Sequence, residues 1–313
     1  MQNYKNFPYL CRKFIDMKKL YIFALLLLAI IPAKAEVLLV EDFDYPISEL
    51  LTNHDWFTQW GAASQIMTTS SLGMEGYAGC GIGSAALLDQ KTTQPLHRAL
   101  TKEITSGDVY VSFLLQPKWA ENNAYFLALR DKITDNYTFN MNGRVYIDEY
   151  GKVGLSFGKG KESCKQYPTP LKEDKIYLIV LKYHIEPGNN NDQAYLYILN
   201  QFTANEPPQP SIGPLSNSAQ PDIFPASVQL HCDHGISPWI TIDAIRVATT
   251  WQEAVQPGTC PQDTYLNPDN DWDTTTNLNT TLTPTHKARK TFENGNIYII
   301  HNNQKYTILG TKL

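Results

Sequence analysis

Between Val37 and Trp251 the chain is a succession of short apolar runs, each of strand length and each bounded by turn signals, with no long amphipathic helix anywhere. Runs of this kind fit residues 37–44, 66–69, 109–116, 125–130, 144–150, 153–157, 176–185, 194–199, 228–231 and 239–251. Between them stand Asn142-Gly143, Tyr150-Gly151 and Pro187-Gly188-Asn189-Asn190-Asn191-Asp192, residue types that supply hairpins and tight turns. Evenly spaced strands with such turns predict an all-β, antiparallel sandwich.

The longest informative run is residues 239–251. Ile240, Ile242, Ala244 and Val247 fall on one apolar face, with Thr241, Asp243 and Arg246 among the intervening positions. The period slips near Ile245, which predicts a half-buried strand with a bulge in its middle. Residues 37–44 and 239–251 are expected to be neighbours in one sheet, the first and last strands of the sandwich. In residues 176–185 polar groups appear only toward one end, the pattern of a central strand covered on both faces. The proline-rich stretch 205–225 reads as a surface loop.

The start of the chain belongs to another class. Lys18 and Lys19 precede an apolar run from Leu20 to Ile31, and Ala33-Lys34-Ala35 supplies the small residues of a cleavage site, so residues 1–35 read as a signal peptide. About a dozen apolar residues fall short of the ~20 that span a bilayer, so no transmembrane segment is expected in the mature chain. Met17, directly before the lysines, is as good a start as Met1. Hydrophobic content of 42% is ample for a core, and a net charge of -5 without a basic stripe argues against nucleic acid.

Export permits disulfides, and Cys80, Cys164, Cys232 and Cys260 allow 3 pairings, left open by the sequence. No CxxC or His-rich spacing suggests zinc. The segment from Gly73 to Gly83 holds five glycines in eleven residues. A phosphate cradle would need a preceding buried strand and a following helix, and the flanks supply neither. Tight turns with positive φ on a β scaffold are the better reading.

Two resemblances enter here. Val40-Glu41-Asp42-Phe43-Asp44-Tyr45-Pro46, Tyr77-Ala78-Gly79-Cys80-Gly81-Ile82-Gly83 and Ile242-Asp243-Ala244-Ile245-Arg246-Val247 resemble secreted bacterial concanavalin A/laminin-G-like jelly rolls, over residues 36–256. The resemblance implies a jelly-roll β-sandwich and leaves function open, since that fold hosts lectins, adhesins, hydrolases and lyases. Residues 257–286, rich in Pro, Asn, Asp and Thr, read as a linker, and 287–313 as a small β tail. Within it, Asn294-Gly295-Asn296-Ile297-Tyr298-Ile299 and Tyr306-Thr307-Ile308-Leu309-Gly310 resemble the C-terminal end of type IX secretion sorting domains. Tyr265-Leu266-Asn267-Pro268 is similar to the aromatic-Pro-Asn-Pro opening of such domains. That implies passage to the extracellular or outer-membrane surface of a Gram-negative bacterium, with the secretion machinery as a partner.

Motifs for chemistry are sparse. No Glu-x-Asp-x-Glu occurs, the strand pattern that would set a glycosidase pair ~5 Å apart. Asp42 and Asp44 have the spacing but read as turn-stabilising carboxylates, and the adjacent Asp148 and Glu149 point to opposite faces. A lyase would need Arg, His and Tyr on one concave sheet, for which Arg144, Tyr146 and His184 are the available residues. The serine-hydrolase elbow Gly-x-Ser-x-Gly is missing. Of the group His231, Asp233 and His234 around Cys232, only His231 and Asp233 share a strand face. Asp269, Asp271 and Asp273 place oxygens at alternate positions, as calcium prefers, but Thr274 and Thr280 stand where the loop form of that site has Gly and Glu. Aromatic stacking on a sugar is the remaining chemistry, with Trp56, Trp60, Trp119 and Trp239 beside turns or loops as ligand-binding residues. The expected function is a secreted or cell-surface, non-catalytic module that binds glycan or another extracellular polymer. The alternatives are a polysaccharide-degrading hydrolase or lyase without a familiar motif, and a structural or adhesive surface protein.

Overall fold

The structure, a computed structural model, describes residues 35–58, 66–89, 92, 94–119, 123–132, 140–160, 163–173, 175–232, 238–260, 289–293, 296–301 and 304–307. The chain divides into two compact units, Met1–Pro268 and Asp269–Leu313, a division that falls inside the stretch read as linker.

In the first unit two antiparallel sheets face each other. One has eight strands: β13 (Ile212–Leu215), β12 (Gln193–Leu199), β11 (Tyr177–Ile185), β6 (Gly107–Trp119), β15 (Trp239–Ala248), β4 (Ser84–Leu88) and β3 (Met67–Ser70) in that order, with β1 (Val37–Glu41) also on β15. The other has seven: β10 (Lys165–Gln166), β9 (Val153–Ser156), β8 (Met141–Ile147), β7 (Ala124–Arg130), β14 (Ser227–Leu230), β5 (Leu96–Ala99) and β2 (Phe57–Thr58). Side chains from both inner faces, among them Phe113, Leu115, Ile179 and Leu181 from one and Phe126, Val145, Leu155 and Val228 from the other, form the main core. The all-β, antiparallel sandwich predicted from the turn spacing is the fold of this unit.

β15 carries the sheet, as its sequence suggested. It pairs with β6 along one edge and, on the other, with β4 and then β1, so the first and last strands of the sandwich are neighbours. Its register against β6 shifts between Asp243 and Arg246, where Ala244 takes a φ of 50°. This bulge corrects the predicted face. The inserted residue turns Ala244 outward, so that Ile240 and Ile242 before it and Ile245 and Val247 after it all enter the main core. The strand is also buried on both sides rather than one. Over the outer face of the eight-stranded sheet lies a second apolar cluster that includes Leu72, Met74, Tyr77, Leu114, Val180 and Trp251.

That cluster is roofed by the glycine-rich segment and by the single-turn helix α1 (Trp251–Ala254). Gly76, Gly79, Gly81 and Gly83 all have positive φ, as read from sequence. Gly79 shows why: a Cβ there would collide with the Asp42 carboxylate and the Arg246 guanidinium, which pair at 2.7 Å. After α1 the chain runs back along this segment, with Ala78 N–H donating to Gln256 O at 3.0 Å and Gly258 N–H to Gly76 O at 2.9 Å. This brings Cys260 to Cys80, and the two form a disulfide.

Two further details depart from the sequence reading. The proline-rich stretch 205–225 is not all loop, since β13 forms an edge strand within it, a place that tolerates Pro214 because an edge leaves one side of the backbone unpaired. Strands β4 and β5 were not among the runs read from sequence: β4 is a short apolar run beginning with small residues, and His97 and Arg98 interrupt β5. The second unit is a three-stranded antiparallel sheet of β16 (Arg289–Glu293), β17 (Asn296–His301) and β18 (Gln304–Thr307). Among the described residues no helix is long and apolar enough to cross a membrane.

Candidate functional site

Strand alternation sends every second residue of the seven-stranded sheet away from the core. On β7, β14 and β8 the inward residues are apolar, including Phe126, Leu230 and Val145, but the outward ones are not. Tyr125 is opposite Tyr146, Gln229 is opposite both Ala128 and His97, and Arg130 is opposite Ser227. Cross-strand pairing therefore gathers Tyr125, Arg130, Arg144, Tyr146, Gln229, His231 and His97 on one face.

These side chains are in contact. The His231 imidazole stacks on the Tyr125 ring, centroids 3.8 Å apart and 15° from parallel. The Arg144 guanidinium lies 4.8 Å from the centroid of the same ring, close enough for a cation–π attraction. Tyr146 leans on Tyr125 at 5.7 Å. Gln229 approaches His231 Nδ1 with its side-chain nitrogen at 3.2 Å, while its oxygen accepts from Arg130 Nη1 at 3.1 Å. Aromatic, imidazole and guanidinium groups are thereby locked to one another before any ligand arrives.

Charge on this face is mostly positive. Arg130 is fully buried, and burial pulls its pKa down to about 10. His97 next to it is pushed down to about 4, first by burial and then by the Arg130 charge, so it is neutral across the physiological range. Burial also raises Asp131, and its carboxylate is occupied by the backbone and side-chain N–H groups of Asn140 at 2.8 and 3.1 Å. At one end of the face opens a cavity of about 360 Å³ lined by Tyr125, Asn140, Met141, Asn142, Arg144, Lys159, Gln220 and Pro221. Among the described residues its ionisable lining is two cations and one phenol, with amides around them. Among the described residues neither Arg144 nor Lys159 forms a salt bridge, and Arg144 Nε donates only to Met141 O, at 3.3 Å.

The residues picked from sequence fare differently. Trp56 is a core residue, 1% exposed, stacked on Phe43 and donating its indole N–H to Glu41 at 2.9 Å, so it has no face to offer a sugar. Trp239 opens β15 and is 39% exposed, with Lys118 Nζ 4.4 Å from the ring centroid; Trp119 closes β6 in register with it. That pair belongs to the eight-stranded sheet, not to the face above. Trp60, Asp233, His234, Asp269, Asp271 and Asp273 lie outside the described residues. Among the described residues no group of three or more His, Cys, Asp and Glu is placed to hold a metal ion.

Of the three residues named for a lyase, Arg144 and Tyr146 do share the outer face. His184 does not: it sits on β11 of the other sheet, its Nδ1 2.6 Å from Asp108 and its Nε2 2.9 Å from Glu186. Asp42 is spent on Arg246, and Asp148 caps a turn through the backbone N–H groups of Tyr150 and Lys152 at 2.9 and 2.7 Å. Tyr125, Arg130, Gln229 and Lys159 were missed. The available signal was Arg144-x-Tyr146 and Gln229-x-His231, polar or aromatic pairs at alternate positions of otherwise apolar strands.

No protein-family model and no curated protein sequence matches the chain. Solved structures similar to it include the globular domain of T. cruzi calreticulin, 12% identical, covering 70% of this chain and 90% of that one with a TM-score of 0.42. Another is a conserved carbohydrate esterase of the Shiga toxin-encoding bacteriophage phi24B, 14% identical over 68% of this chain and 98% of that one, TM-score 0.40. A third, a mutant of Trypanosoma rangeli sialidase, is 10% identical with a TM-score of 0.33 over 60% of this chain, which spans only 32% of the sialidase chain. Likeness this distant carries no argument about ligand or reaction.

Proposed function

We propose that this chain is an exported, surface-displayed module that binds an acidic extracellular glycan on the outer face of its seven-stranded sheet. The observation that carries the reading is the cavity where Arg144, stacked on Tyr125, and Lys159 stand together among amides, with no carboxylate among its described lining residues. The hydroxyls of a sugar suit Asn140, Asn142 and Gln220, and its carboxylate or sulfate suits the two cations; the Tyr125 ring, covered by His231 and Arg144, holds the guanidinium in place. The Cys80–Cys260 disulfide supports export, since such bonds persist in oxidising compartments, as does the leader-like residues 1–35. The tail at residues 287–313, with its sorting-domain resemblance, is the address by which the module reaches the cell surface.

Binding is tested by titrating acidic and neutral oligosaccharides into the mature protein. Arg144→Ala is expected to weaken an acidic ligand about 10- to 100-fold, the value of a charge-assisted hydrogen bond of roughly 1.5–3 kcal/mol, and added salt to weaken it further. Binding of neutral glycans alone, indifferent to Arg144, would contradict the reading.

A second reading is eliminative cleavage of the same ligand. It is favoured by the contact of His231 with Tyr125 beside Arg144, since a held imidazole and a phenol are the groups that move a proton next to a neutralised carboxylate. Release of unsaturated product, detected by its ultraviolet absorbance and abolished in His231→Ala, distinguishes an enzyme from a binder.

A further inference from the structure

Pro221 lines the cavity described above and also a second one, of about 540 Å³, whose other walls include Thr105, Ser106, Glu186, Asn189, Asp222 and Phe224. Both volumes fall in the ~300–1,000 Å³ range of small-molecule sites. The partition between them is rigidly backed. Asn142, a wall of the first cavity, donates from Nδ2 to Pro221 O at 2.9 Å and to the Tyr183 hydroxyl at 3.2 Å. That buried hydroxyl donates to Asp192 at 2.7 Å and accepts the Ile223 N–H at 3.3 Å, and Asp192 and Ile223 are walls of the second cavity. One hydroxyl thus fixes both sides of the Pro221 wall.

The hairpin that closes the second cavity is held just as firmly. Asp222 accepts the backbone N–H groups of Asn191 and Asp192 at 3.2 and 3.1 Å. Asp192 accepts that of Glu186 at 2.9 Å, and Asn191 Nδ2 donates to Pro187 O at 3.0 Å. A pre-formed loop of this kind spares a ligand the entropy of ordering it. The chemistry is the reverse of the first cavity: among the described residues no Lys or Arg lines it, whereas Asp222 and Glu186, the latter also paired with His184 at 2.9 Å, do, with the amides of Asn189 and Asn190 and the hydroxyls of Thr105 and Ser106. Phe224, 48% exposed, offers a bare ring at its rim.

We infer that the second cavity is a further subsite for the same glycan chain, taking an uncharged, hydroxyl-rich sugar unit next to the acidic unit held at Arg144. Carboxylates repel a second acid group and accept hydroxyl protons, and the Phe224 ring stacks on a sugar face. The ligand class is therefore a polysaccharide in which acidic and neutral units alternate. This rests on the glycan reading of the first cavity, and the experiment separates the two.

Three probes are titrated by calorimetry: a hyaluronan hexasaccharide, in which uronate and neutral sugar alternate, glucuronic acid alone, and a galacturonate hexasaccharide, acidic at every unit. The alternating hexasaccharide is expected to bind at least tenfold tighter than the other two. Phe224→Ala removes that gain without changing the binding of glucuronic acid, and Phe224→Trp keeps it. Phe224 is exposed, so neither variant endangers the fold. Equal affinity for the alternating and the wholly acidic hexasaccharide, or an alternating hexasaccharide indifferent to Phe224→Ala, overturns the second subsite alone. Failure of all three probes to bind overturns the glycan reading and the subsite with it.

Discussion

Glu41 shows how a single buried carboxylate organises the start of the sandwich. It is 3% exposed and accepts from Phe43 N–H at 2.8 Å, Trp56 Nε1 at 2.9 Å and the Tyr45 hydroxyl at 3.1 Å, with Arg98 completing an ion pair. Replacing it with Ala leaves Arg98 and the indole N–H without their acceptor, and chemical denaturation should register a loss of about 3–5 kcal/mol. The same network explains why Trp56 was misread. A tryptophan next to a turn is compatible with a stacking platform, and only the remote partner Glu41 shows that its polar end is satisfied inside.

Two titratable groups, the half-buried His97 and the buried Asp243, set opposite pH limbs. The unfolded chain protonates His97 near 6.5, whereas in the fold burial and Arg130 delay this to about 4. In that window the unfolded state binds more protons, so stability falls on acidification. Asp243 behaves conversely. Burial lifts its carboxyl from 3.8 to about 8 despite donors from Leu72 N–H, Ser71 Oγ and Ala244 N–H. The folded chain holds a proton that the unfolded one has released, so this contribution is complete below 3.8 and is lost as pH rises through 8. Urea midpoints across pH should lose their acid limb in His97→Phe and their alkaline limb in Asp243→Asn. An unchanged profile in both variants would put the titrating groups elsewhere.

At the scale of elements, hydrophobic period announced the strands that fill the core. Residues 176–185 read correctly as a strand, and so did 239–251 as far as Ala248, because burial imposes apolar residues at fixed intervals; beyond it Trp251 opens α1 instead, while the slip at Ile245 marked a true bulge. What period does not encode is which strand lies beside which. The site face is made by β8 next to β7 next to β14, and β14 (Ser227–Leu230) lies far along the chain from the other two, so Arg144-x-Tyr146 and Gln229-x-His231 looked unrelated. The disulfide was hidden for the same reason, since its formation depends on the return of residues 256–260 along the glycine-rich segment. Closing a separation of 180 residues, it should contribute about 5 kcal/mol on the loop-entropy argument. Cys80→Ser with Cys260→Ser therefore lowers the denaturation midpoint substantially, without altering the strand signal in circular dichroism. Gly79→Ala, which sets a methyl group against the Asp42–Arg246 pair at a φ of 80°, should cost more than the ~1 kcal/mol of an ordinary glycine exchange.

For the molecule as a whole, the two units and the composition at the start of the second predict separable roles. Residues 271–285 have almost no apolar side chain, and a three-stranded sheet as small as β16–β18 gains little stability alone. Deleting residues 287–313 should leave the melting temperature of the sandwich nearly unchanged while stranding the protein in the periplasm. A large loss of stability with normal surface delivery would make the tail a fold element. The central claim concerns the sandwich itself, and amide hydrogen exchange with and without the alternating acidic hexasaccharide tests it most directly. Slowed exchange confined to β7, β8, β14, the segment around Pro221 and the second cavity's walls at residues 105–106 and 185–192 is the predicted footprint. Protection of the opposite sheet around Trp239 and Lys118, with β7 and β8 unaffected, would contradict it.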